Sequence, residues 1–130
     1  MTDPADLREE SRRAERHKIG SRRRPVDLVH LARQTSGDPQ LEAEVLAMFA
    51  QMSVNYLHRL RDSGDSDALE LNLHALKGAS LGIGANSIAE HARCAETELK
   101  ETGSICQETM DDLAVAVEEA RSFISNLLAD

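Results

Sequence analysis

From Pro25 onward, apolar residues recur every three or four positions in five runs separated by short polar breaks, a period that fits α-helix and not strand. The first run, Val26-Asp27-Leu28-Val29-His30-Leu31-Ala32, gives out near Gly37 and predicts a short helix over about 26–35. Asp38-Pro39 then makes a helix start, with Asp as N-cap and Pro at the first helical position, where its missing N–H is not needed. Glu42 and Glu44 add negative charge near the positive end of that helix dipole. The run that follows, to about Asp62, sets Leu41, Val45, Met48, Phe49, Met52, Tyr56, Leu57 and Leu60 in one stripe. Ser63-Gly64-Asp65-Ser66 makes the next turn, and Ser66 can cap a third helix through Leu69, Leu73 and Leu76 to about Gly82-Ile83-Gly84. A fourth helix is predicted from near Ala85 through Ile88, His91, Ala92, Ala95 and Leu99 to Glu101, stopped by Thr102-Gly103. A fifth, from about Ser104 to Leu128, carries Ile105, Met110, Leu113, Val117, Ala120, Ile124 and Leu127 on one face.

Four long amphipathic helices joined by short turns pack antiparallel. The expected fold is therefore all-α: an up-down-up-down four-helix bundle over 25–130, with the short helix at 26–35 capping one end. Composition agrees, since aromatics are 2% of the 130 residues, Trp is absent, and the apolar content rests on Leu, Ala, Ile, Val and Met. That length gives one domain with a real core, not two enzyme-sized ones.

Charge divides the chain. Residues 1–24 hold eight Lys or Arg against five acids, whereas 25–130 hold seven against eighteen. With only Leu7 and Ile19 as sizeable apolar anchors, 1–24 reads as a flexible basic arm. The acidic body lacks the electrostatic footprint of a nucleic-acid-binding domain. The arm, ending in Arg22-Arg23-Arg24, could still touch an acidic partner surface, anionic lipid or nucleic acid. Cys94 and Cys106 have no companion cysteines, no run approaches the length of a membrane span, and the N-terminus lacks a signal-peptide core. A soluble, cytoplasmic monomer is expected.

The chemistry concentrates in His74-Ala75-Leu76-Lys77-Gly78-Ala79-Ser80-Leu81-Gly82-Ile83-Gly84-Ala85. On a helix, Lys77 and Gly78 lie beside His74 one turn along, while Leu69, Leu73, Leu76, Ser80 and Ile83 point elsewhere, so His74 should face solvent. Neutral imidazole is a nucleophile near pH 7, and its attack on an acyl phosphate yields a phosphoramidate. An ammonium at Lys77 would offset charge on the transferring phosphoryl group, and the bare backbone at Gly78 would let another protein's active site close over the histidine. By residue type alone, a solvated helix face remains the alternative.

The longer pattern resembles the histidine-containing phosphotransfer (HPt) family, whose helix carries a His-x-Leu-Lys-Gly core, then a small residue pair and a Gly-Ala step. The matching residues are His74, Leu76, Lys77, Gly78, Ala79-Ser80 and Gly84-Ala85, and the surrounding helices, with Glu98-Leu99 in the fourth, extend the likeness over about 26–128. The resemblance implies that His74 accepts the phosphoryl group, Lys77 stabilises it and Gly78 gives clearance for a response-regulator receiver domain. Leu81 sits where the family varies and is given only a contact role. The implied partners are receiver domains and a hybrid histidine kinase system, and any Mg²⁺ is implied on the partner receiver, so no cofactor is expected on this chain.

Other constellations fail. Gly82-Ile83-Gly84-Ala85-Asn86-Ser87 begins like a dinucleotide fingerprint, but it lacks the last glycine and a preceding strand. There is no phosphate-binding P-loop and no ATP-binding kinase domain, so the chain should be a phosphocarrier and not a self-sufficient kinase. His17, His30, His58 and His91 lack the Glu-x-x-His pairing of a di-metal bundle, with Ile88 three residues before His91. His30 and His91 are expected at partly buried helix positions and His58 on the surface. Three functional classes stay open: a stand-alone phosphorelay intermediate, a non-phosphorylated helical adaptor that binds a kinase or receiver, and a metal-binding bundle.

Overall fold

The computed structural model describes residues 24–129, so all of the basic arm except Arg24 lies outside the described residues. Five helices account for most of the described chain: α1 (Leu28–Gln34), α2 (Pro39–Asp62), α3 (Ser66–Ile83), α4 (Asn86–Thr102) and α5 (Gln107–Leu128). No strand occurs among the described residues. The turns at 63–65, 84–85 and 103–106 are too short to let the chain do anything but reverse. Each long helix packs against its two neighbours, α2 on α3, α3 on α4, α4 on α5 and α5 back on α2, closing a four-helix bundle with α1 against α3.

Local chemistry sets the ends. Asp38 caps α2 by accepting from the backbone N–H groups of Gln40 and Leu41, with Pro39 in the first turn. Asp27 caps α1 in the same way, through Val29 and His30. The third helix differs from expectation: Asp65, not Ser66, is its N-cap, because Asp65 takes the extended backbone and its carboxylate accepts from Asp67 N–H at 3.3 Å. The last helix starts at Gln107 instead of Ser104. The Thr102 hydroxyl bonds the Ser104 backbone and Glu98 accepts from Cys106 N–H at 3.1 Å, so 103–106 is held as a turn.

α3 ends in a Schellman turn, with Gly84 at φ 83° and Ala85 N–H donating to Ser80 C=O at 2.8 Å. There the short first helix is bolted on. Asp27 N–H donates to Gly84 C=O at 2.9 Å, and His30 Nε2–H to Gly82 C=O at 3.1 Å.

The core is continuous through the bundle. Leu73 and Leu76 are fully buried at 0% exposure. Burying a leucine side chain stabilises by about 1.5–3 kcal/mol. Because these two flank His74 in sequence at helical spacing, their burial turns the histidine outward.

The α2 stripe is wider than one buried face. Phe49, Leu57 and Leu60 of the predicted stripe enter the core together with Leu46 and Ser53 from outside it, whereas Leu41 and Met48 of the stripe are 41% and 65% exposed. Leu127 is likewise exposed near the end of α5. His30 is half-buried and His58 exposed, as expected, while His91 is more deeply buried than expected, in α4 beside Ala92.

Candidate functional site

α3 carries His74 at its middle, with the imidazole exposed and no hydrogen-bond or ion-pair partner among the described residues. A ring nitrogen free of partners keeps its lone pair available to an incoming electrophile. Leu71, one turn before His74, and Leu81, two turns beyond it, are 71% and 51% exposed, so apolar surface lies along the helix on both sides of the histidine.

Gly78 lies one turn from His74 and is exposed. A Cβ built there meets nothing within 4 Å, and the same holds at Gly82. Inside a helix, glycine costs roughly 0.5–1 kcal/mol relative to alanine. Among the described residues nothing fills the space that a side chain at Gly78 would take. Gly82, expected near the end of this helix, is the second bare position on α3, two turns beyond His74.

On the α4 side, Lys77 reaches across the helix interface. Its Nζ lies 3.1 Å from Glu96 Oε1 and donates to Glu96 Oε2 at 3.3 Å. Both side chains are largely buried, at 25% and 11% exposure. Sequence reading placed Lys77 beside His74 but missed Glu96, because only the packing of α4 on α3 brings residues nineteen apart together.

On the α2 side, an apolar cleft of about 340 Å³ opens between α1, α2 and the end of α3. Met48 and Met52 of α2 face Ala79 and Gly82 of α3 across it. The outlying half of the α2 stripe therefore lines a surface next to the histidine-bearing helix instead of entering the core.

The three residues singled out in the sequence thus share one patch of α3, with His74 central, Lys77 turned toward α4 and Gly78 left open. No group of three or more His, Cys, Asp or Glu side chains among the described residues is gathered as a metal ion would need. No helix among them is long and apolar enough to cross a membrane. A family model described as Hpt domain matches residues 44–127, about two thirds of the chain. The match begins inside α2, so α1 lies outside it. No curated protein and no solved structure matches the chain.

Proposed function

The chain belongs to the Hpt domain family, which serves histidine phosphotransfer in two-component systems, and from that premise we propose that His74 is its phosphoryl-accepting residue. In this reading the group arrives from a receiver-domain aspartate, or through a cognate histidine kinase system, and leaves to another receiver. The observation that carries the proposal is an unpaired, solvent-facing imidazole beside a glycine whose bareness no packing explains. The chemistry is balanced and reversible. A ring nitrogen of neutral His74 bonds to phosphorus as the phosphorus–oxygen bond of the aspartyl phosphate breaks, and the aspartate carboxylate leaves with the electron pair.

Lys77 supplies positive charge beside the phosphoryl oxygens, and Mg²⁺, where needed, belongs to the partner receiver. We further take the chain to act as a cytoplasmic monomer, its acidic body disfavouring association between copies. Transfer of label from a phosphorylated receiver to the wild type, and not to His74→Gln, is the test.

Lys77→Ala is expected to slow transfer by roughly ten- to a hundredfold, the scale of losing one electrostatic stabiliser. Rapid-quench measurement of transfer from a phosphorylated receiver checks it, and wild-type kinetics would remove Lys77 from the mechanism. Gly78→Leu should weaken receiver docking by about tenfold or more, because the added side chain projects into open space where the partner must sit. Its circular dichroism and thermal midpoint should stay close to wild type. Undiminished affinity in a receiver titration would count against the clearance role.

A further inference from the structure

Resting on the reading of His74 as phosphoryl acceptor, we propose that Glu96 is a positioning residue: it holds the Lys77 ammonium against α4 and so limits how strongly that charge attracts a phosphoryl group to His74. Two other ion pairs, Arg93–Glu90 on α4 and Arg121–Glu118 on α5, each join residues three apart within one helix and are more exposed. Lys77–Glu96 instead crosses from α3 to α4 and is mostly withdrawn from solvent. The core residues nearest Glu96 along α4, Ala92, Ala95 and Leu99, are all apolar.

The geometry decides the sign. A lysine has three N–H donors. Glu96 faces the ammonium with both carboxylate oxygens, at 3.1 and 3.3 Å, which draws the charge toward α4 and offsets part of it. A phosphoryl group on His74 must compete for the same cation against a carboxylate already in contact. Exposed pairs contribute little to stability, but this one is partly desolvated, where opposite charges interact more strongly. A carrier has to release what it accepts. A lysine fully committed to the phosphoryl group would favour acceptance over release, and Glu96 moderates that commitment.

Glu96→Gln keeps the side chain's size and removes its charge. The probe is phosphoramidate, which needs no partner protein: a His74 ring nitrogen bonds to phosphorus, the donor's phosphorus–nitrogen bond breaks, and ammonia leaves with the electron pair. Phosphohistidine on the full chain is followed by phosphorus NMR in wild type, Glu96→Gln, Lys77→Ala and the double variant. Glu96→Gln is expected to take up phosphoryl groups about three- to tenfold faster than wild type, the range set by about a kilocalorie of freed charge. In the Lys77→Ala background the same change is expected to alter the rate by less than twofold.

A purely structural role would slow both backgrounds alike, so the coupling is the readout it cannot imitate. An unchanged or slower Glu96→Gln rate overturns the inference. An equal gain with and without Lys77 also overturns it, because the carboxylate would then act on the phosphoryl group directly. A wild type that gains no more label than His74→Gln overturns the reading of His74 itself, and this inference with it; a labelled wild type with an unresponsive Glu96→Gln removes the inference alone.

Discussion

His74→Gln is expected to accept no phosphoryl group while folding as the wild type does. Glutamine's amide nitrogen has its lone pair delocalised into the carbonyl, so the side chain keeps hydrogen-bonding capacity and loses the nucleophile. The full chain, mixed with a receiver carrying a labelled aspartyl phosphate, should gain acid-labile, base-stable label only when His74 is present. The loss should be at least about a thousandfold, as when a nucleophile is removed from a group-transfer site. Stability should hardly move. His74 is exposed, has no partner among the described residues, and glutamine is a good helix former, so the change should fall within about 0.5 kcal/mol. Equal labelling of the two proteins would leave the chain as a helical adaptor that docks a kinase or receiver without chemistry.

Much of this arrangement was legible in the residues because it is local. A helix turn fixes where Lys77 and Gly78 lie relative to His74, and the apolar period fixed which face of α3 goes inward, as the full burial of Leu73 and Leu76 bears out. Caps were legible where chemistry is unambiguous, at Asp38-Pro39, and misplaced by one residue where Asp65 and Ser66 both qualified. The α2 stripe does not mark the buried positions one by one, since a 3.6-residue period gives the centre of an apolar face and not its width. Only the neighbours decide that Leu46 is buried while Met48 is left on the surface by the cleft. Long-range contacts had no signal at all. Glu96 against Lys77 and His30 against the Gly82 carbonyl depend on how α4 and α1 settle on α3.

Those contacts also divide the glycines of α3 into two kinds. Gly78 and Gly82 have room for a side chain within the fold, whereas Gly84 does not: a Cβ there would lie 3.0 Å from Asp27 O and 3.1 Å from Asp27 Cβ. Its backbone also sits at φ 83°, a left-handed conformation that L side chains rarely adopt.

Gly84→Ala is accordingly expected to destabilise the protein by about 2–4 kcal/mol, left-handed strain adding to a contact with backbone that cannot swing away. For a domain of this size that is a fall in Tm of roughly 8–15 °C. The damage should concentrate where α1 joins α3, because relieving the contact pulls Asp27 N–H from the Gly84 carbonyl and His30 from Gly82. Hydrogen exchange should quicken in α1 before it quickens in α3. Gly82→Ala is the internal control: it is helical, its added Cβ meets nothing within 4 Å, and it should hold or raise stability. A Gly84→Ala protein melting within about 2 °C of wild type would show that the junction yields freely. The expected result would instead mean that this glycine serves the fold.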